Sequence, residues 1–352
     1  MQARAMELLL AQPRGFCAGV SRAIEIVDRA LESHGAPVYV YHEIVHNGRV
    51  VDELKARGAV FVTDVADIPA GAITVFSAHG VANTVRAAAR ARDLQVIDAT
   101  CPMVTKVHLQ AQRFEREGHA LIVVGHHGHE EIVGTTGSVD GPSHVVASID
   151  EIAGLDIPDD APVAYVTQTT LSVDDTRGII TALKKRWPQI QGPGTEDICF
   201  ATFNRQMAVR AMAPGVDVVL VVGAANSSNS NRLCEVARNC GRPAYLISDA
   251  EGLDPAWVAT ARRVGITAGA SVPESLVQEL CARLQSLGAT VVTEMAGLTE
   301  NVSFRLPPMP APRAAAAAAA MPQPGPAHKG PAQMGADRAP PQGAGLSASR
   351  HR

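Results

Sequence analysis

Residues 95–118 read QVIDATCPMVTKVHLQAQRFEREG, and they hold the plan of the fold in miniature. Residues 95–98 form a short apolar run that reads as a strand. Residues 104–117 carry apolar side chains at helical spacing, and Gly118 closes that run. Between them, where the strand ends, stands the polar turn Ala99-Thr100-Cys101-Pro102. The same strand–turn–helix pattern recurs outward in both directions. Strands are expected at 7–11, 38–41, 59–62, 73–77, 120–124, 163–167, 216–222, 244–247 and 264–267. Helices are expected at 21–33, 83–91, 173–187, 204–212, 231–239 and 273–287. Uninterrupted apolar strands alternating with amphipathic helices argue for an α/β fold with mostly parallel sheets covered on both faces.

Sheets of that kind bind ligands beyond the carboxyl ends of their strands, and the polar clusters of this chain fall there. His46 follows one strand, His79 a second, and Cys101 a third. A His-rich loop ending in His129, Glu130 and Glu131 follows a fourth. Thr169 and Thr170 follow a fifth, Asn226-Ser227-Ser228-Asn229 a sixth, and Ser271 a seventh. Several strands therefore aim their polar ends at one place.

Composition narrows the class. The chain has 352 residues, 46% of them hydrophobic and 19% charged, with a net charge of −4. Ample apolar material and no basic run in the foldable part argue against a nucleic-acid surface. No apolar stretch approaches the ~18 residues of a membrane span. The start carries no secretory signal, so a reducing, cytoplasmic compartment is expected. The six cysteines, none in a CxxC pair, then read as ligands, nucleophiles or core residues rather than a disulfide framework. No GxGxxG follows the first strand, which disfavours a dinucleotide-binding enzyme.

Cys17, Cys101 and Cys199 all lie at strand-to-helix junctions, whereas Cys234, Cys240 and Cys281 fall in or at the end of amphipathic helices and read as core. A helix N-terminus is expected to lower a thiol pKa and favour the metal-binding thiolate. Three thiolates suit a [4Fe–4S] cluster, one per subunit, with one iron left without a protein ligand. Spacing alone leaves a Cys/His zinc site open. The three cysteines stand 84 and 98 residues apart, each interval about one small domain. The expectation is three pseudo-symmetric α/β lobes around a centre, at 6–100, 101–198 and 199–306. The Pro- and Ala-rich stretch 307–352 is expected to be disordered.

His46, His79 and His129, with Ser227, Ser228, Asn229 and Ser271, read as a cradle for a polyanion, helped by the helix that follows residue 230. Glu131 is the best general acid, with Glu130 as the alternative. Thr169 and Thr170 offer hydroxyls to relay a proton or hold a substrate oxygen. His42, His108 and His119 read as structural, and His126 and His127 as support or solvent-facing groups.

The segments RGFCAG, EIVHNGRVVDEL, FSAHGV, DATCPMVTKVH, TQTTLSVDDT, DICFATFNRQ, NSSNSNRL and ITAGAS together resemble the LytB/IspH family of 4-hydroxy-3-methylbut-2-enyl diphosphate reductases, over about residues 7–306. The resemblance implies a three-lobed fold around a [4Fe–4S] cluster on Cys17, Cys101 and Cys199. It implies reductive removal of an allylic hydroxyl to give isopentenyl and dimethylallyl diphosphate, the last step of the non-mevalonate isoprenoid pathway. It also implies that the open iron takes the substrate hydroxyl, that the three histidines, the two serines, Asn229 and Ser271 bind diphosphate, that Glu131 donates a proton, and that Thr169 lies near the hydroxyl. The implied electron donor is a ferredoxin or flavodoxin. One departure is Glu130, which stands where related proteins often have Pro. The rival readings are a Lewis-acid hydro-lyase, which would turn over without a reductant, and a cluster-bearing sensor with a degenerate pocket.

Overall fold

The computed structural model describes residues 6–193 and 197–311. Their elements run β1 (Met6–Leu10), α1 (Ala18–His34), β2 (Val38–Tyr41), α2 (Gly48–Ala56), β3 (Ala59–Val62), β4 (Ile73–Phe76), α3 (Asn83–Ala91), β5 (Gln95–Asp98), α4 (Pro102–Arg116), β6 (Ala120–Val124), α5 (Glu130–Thr136), β7 (Ser143–Val146), β8 (Val163–Thr167), α6 (Val173–Arg186), α7 (Phe200–Met212), β9 (Val218–Val222), α8 (Ser228–Asn239), β10 (Ala244–Ile247), β11 (Arg263–Ala268), α9 (Glu274–Ser286) and β12 (Ala289–Glu294). They build three sheets, of order β3-β2-β4-β5, β7-β6-β8 and β10-β9-β11-β1-β12. Every strand pair within them is parallel. The α/β class and the three-sheet plan are therefore those expected.

Each sheet is covered on both faces, as continuous apolar strands require. All five residues of β9 are buried, and each such side chain contributes about 1.5–3 kcal/mol over exposure. Val218, Leu220 and Val222 face one core with Leu276, Leu280 and Leu284 of α9. Val219 and Val221 face the opposite core with Val209 and Met212 of α7 and Leu233 of α8.

The expected lobe boundaries need one correction. Residues 6–10 were expected in the first lobe, but β1 lies inside the third sheet, with Leu8 opposite both Val264 of β11 and Val292 of β12. The cause is burial on two sides. Met6, Leu8 and Leu10 belong to the α9 core, and Leu9 packs against the other. The chain then crosses over, and Ala23, Ile26, Val27 and Ala30 of α1 pack on Val38 and Val40 of β2. A second correction concerns the tail: Met309, with Leu306 before it, packs partly buried against that same first core. Residues 312–352 of the expected disordered segment lie outside the described residues.

Helices α1, α4, α7 and α8 each start earlier than their apolar periodicity indicates, by two to four residues. Their N-caps are Cys17, Cys101, Cys199 and Ser227, and His129 caps α5. These are residues singled out for chemistry. His129, Cys199 and Ser227 accept a first-turn N–H through their side chains, whereas Cys17 and Cys101 cap by backbone alone.

Candidate active site

One cavity of about 110 Å³ lies where the three sheets meet, and all thirteen side chains singled out in the sequence line it. Three walls can be distinguished.

The first is the thiol wall. Cys17, Cys101 and Cys199 come from helices packed on different sheets, and all are free thiols. Gly19 allows their approach: a Cβ there would stand 2.7 Å from Cys101 Sγ and 3.8 Å from Cys17 Sγ. Cys199 Sγ accepts the Thr202 N–H at 3.3 Å and donates to the Thr202 hydroxyl at 3.2 Å. The turn carrying Cys17 is clamped by Arg205, which is fully buried. Its guanidinium donates to the Gly15 carbonyl at 3.1 and 2.7 Å and to the Phe16 carbonyl at 3.3 Å, and it pairs with Glu300 at 3.1 Å. Gly15 has φ +68°, a conformation few other residues adopt.

For Cys101 and Cys199 the expected lowering of the thiol pKa is not what the buried site favours. Burial pushes Cys101 up to about 12 and Cys199 up to about 11, and the neighbouring thiols push the same way. Desolvation outweighs the help of the helix N-terminus. Thiols held this far above their ordinary range ionise readily when a cation binds among them, so an all-sulfur donor set fits a thiophilic metal centre.

The second wall holds the acid. Glu131 is 2% exposed. Its Oε1 accepts the Thr169 N–H at 2.6 Å and its Oε2 accepts the Thr169 hydroxyl at 3.1 Å. Burial raises its carboxyl to about 7, with Asp197 adding to the rise, while the Thr169 bonds and His79 oppose it. Glu130, the alternative acid, does not line the cavity. It turns toward His42 and His79.

The third wall is made of neutral donors and imidazoles. His46 and His79 stack at 4.2 Å, and His129 meets both edge-on. His129 Nδ1 accepts the Glu131 N–H at 3.1 Å, which leaves Nε2 to carry the proton of the neutral ring. Burial, reinforced by His79 and His46, lowers His129 to about 3, and burial followed by His79 lowers His46. Ser227 Oγ accepts from the Ser230 N–H at 3.3 Å. The Ser228 hydroxyl donates to the Thr170 carbonyl and the Ser271 hydroxyl to the His46 carbonyl. Asn229 is 4% exposed, yet neither its Nδ2 nor its Oδ1 has a hydrogen-bond partner. Buried amides are rarely left so, and this one has the donor and acceptor a bound anion and its water would use.

The close approach expected of the glycines flanking Cys17 is met at Gly19, whereas Thr202 and Arg205 escaped the sequence reading. Cys-Phe-Ala-Thr places Thr202 beside a cysteine, a usable signal, whereas Arg205 gives none because its partners lie far along the chain.

Thiols stand on one side of this cavity, neutral donors on the other, and a buried acid between them. The chain belongs to the LytB protein family, whose model matches residues 8–285. The 4-hydroxy-3-methylbut-2-enyl diphosphate reductase of Zymomonas mobilis is 56% identical over 303 residues, covering 86% of this chain and 89% of that protein. Reductase 1 of the same name from Rhodopseudomonas palustris is 57% identical, covering 85% of this chain and 98% of that one. The solved E-1-hydroxy-2-methyl-but-2-enyl-4-diphosphate reductase of Plasmodium falciparum superposes with a TM-score of 0.83 at 36% identity, over 87% of this chain and 96% of that one.

Proposed function

We propose that this chain reduces 4-hydroxy-3-methylbut-2-enyl diphosphate to isopentenyl and dimethylallyl diphosphate. The allylic C–O bond breaks, two electrons and two protons are taken up, and water leaves. Cys17, Cys101 and Cys199 are the residues to hold a [4Fe–4S] cluster, which supplies one-electron chemistry when bound. A ferredoxin or flavodoxin in the cytoplasm would deliver the electrons.

The chain's own side chains account for the rest. His129 as an Nε2–H donor, Asn229 and the hydroxyls of Ser227, Ser228 and Ser271 bind the diphosphate. Thr169 holds the Glu131 carboxyl with one oxygen on its N–H and the other on its hydroxyl, so a single rotamer faces the cavity. With a value of about 7, Glu131 carries a proton over much of the neutral range and delivers it. Thr202 closes the cavity beside the Cys199 sulfur, and Thr170 adds a hydroxyl to the lining where a substrate oxygen can be held.

The observation that carries this reading is the buried Glu131 carboxyl, fixed between the thiols and the neutral-donor wall. The test is anaerobic purification with iron and sulfide analysis, followed by assay with the allylic diphosphate and a reduced viologen dye. Four irons per chain, about the content of one such cluster, with dye-dependent turnover lost in Glu131→Gln, supports the reading. Stoichiometric zinc, or turnover without reductant, replaces it with the hydro-lyase alternative.

A further inference from the structure

A second groove, of about 500 Å³, runs along α4 beside α1, the two helices that begin at Cys101 and Cys17. Thr100 and Pro102 line it, while Cys101 between them lines the inner cavity. One residue of chain therefore stands between the groove and the thiol wall.

Helix α4 builds the groove from a single stripe. Thr105, Lys106, Leu109, Gln110 and Arg113 are spaced three and four residues apart and share one helix face. The opposite face, with Val104, Val107, Ala111 and Phe114, is buried. Arg22 of α1 completes the groove and donates to the Ala99 and Thr100 carbonyls at 3.2 and 3.1 Å, which ties its charge to the Cys101 turn. The lining thus holds three cations and no carboxylate. Lys106 lies 3.8 Å from the buried Asp197, and Arg113 lies 3.6 Å from Glu117, beyond hydrogen-bond range. Leu109 is 60% exposed in the middle of the stripe.

A chain of net charge −4 that gathers cations around one groove attracts acidic surfaces to that place and speeds their encounter. An exposed Leu ringed by cations suits a small, weakly held interface, the kind that electron-transfer partners use. A cleft of about 260 Å³ reaches Cys17 as well, but Glu25 and Glu300 line it beside Arg22 and cancel the attraction.

We propose that the α4 groove docks a small acidic electron-carrier protein, which passes its electron across residues 100–102. Each carrier leaves oxidised by one electron, so two encounters supply the two electrons that the allylic reduction consumes. The proposal rests on the reductase reading.

The test compares an acidic ferredoxin with methyl viologen as donors to the cluster-loaded enzyme. Calorimetry with oxidised ferredoxin should show binding that weakens as salt rises from about 20 to 200 mM. Leu109→Glu and Arg113→Glu should each weaken low-salt binding about tenfold, and Arg113→Glu should also flatten the salt dependence. Ferredoxin-driven turnover should fall in step, while viologen-driven turnover stays native. Arg177→Glu, at an exposed position of α6 on the other face of the same sheet, should change neither.

Unchanged ferredoxin binding in both α4 variants overturns the proposal, as does an equal loss in Arg177→Glu. Native enzyme that runs on viologen but neither binds the acidic carrier nor takes its electrons loses the docking surface and keeps the reductase reading. Native enzyme inert with both donors loses the reading beneath it.

Discussion

Thr169 holds both oxygens of the Glu131 carboxyl, one through its backbone N–H at 2.6 Å and the other through its hydroxyl at 3.1 Å. A single residue thereby sets both the direction and the acidity of the acid. Thr169→Val keeps the first bond and removes the second. Because the lost bond favours the ionised form, the Glu131 value should climb above about 7. The alkaline limb of the pH–rate profile should move to higher pH, which a viologen-driven assay across the neutral range will read.

Glu131→Gln should lower turnover about a hundredfold or more and leave diphosphate affinity nearly unchanged. It should also alter stability with a definite sign. A carboxyl raised by folding contributes stability that is complete below its ordinary value of 4.5 and is lost as pH rises through about 7. Native enzyme should therefore weaken relative to the glutamine variant from acid to alkaline pH, by up to about 3 kcal/mol. Denaturant melts at the two ends of that range will measure it.

Gly19→Ala should leave the fold intact and spoil the thiol wall, since its Cβ would sit 2.7 Å from Cys101 Sγ. Far-ultraviolet dichroism should be native while iron content after anaerobic reconstitution falls. Native iron content would mean that α1 yields easily at its first turn.

Asn229→Ala should move stability and binding in opposite directions. Removing two buried polar atoms that lack protein partners should leave the melting temperature unchanged or raise it. The KM for the allylic diphosphate should rise about tenfold to a hundredfold, the worth of a hydrogen bond to a charged group. A large loss of stability would show that the amide serves the fold instead.

Arg205→Met strips the Gly15 and Phe16 carbonyls of their donor and leaves Glu300 without its cation. A broken buried pair costs about 3–5 kcal/mol, so denaturant midpoints should fall. Restoring the midpoint by also changing Glu300→Gln, without restoring iron retention, would assign Arg205 to holding the Cys17 turn.

Much of this was readable from local pattern. Strands β2, β3, β5, β6, β8 and β10 match their expected ranges to the residue, because an apolar run bounded by polar turns leaves little choice. Strand β7 (SHVV) opens on two polar residues. Strand β12 has Val291 and Val292 46% and 41% exposed at a sheet edge, so it lacks a buried strand's signature. Helix α5 contains Gly134 and several β-branched residues in seven positions, poor helix formers that tertiary packing must hold. The Cys17 turn was legible from RGFCAG, but its clamp was not. The place of β1 was also hidden, because sheet order depends on partners hundreds of residues away. The acidity of Cys101 and Cys199 was hidden for a related reason: burial, a property of the assembled lobes, outweighs position at a helix start.

The lodging of β1 in the third sheet bears on how the chain is made. Glu7 and its partner Arg263 are 256 residues apart, so the first strand to leave the ribosome has neither neighbour until the last ones emerge. The first two sheets can form meanwhile, since their strands are local. The sheet that contributes Ser227, Asn229 and Ser271, and with it the crossover leading to Cys17, can close only once β11 and β12 are available to flank β1. The turn that presents Cys17 is therefore completed late in folding, after the strands that precede Cys101 and Cys199 have found their neighbours.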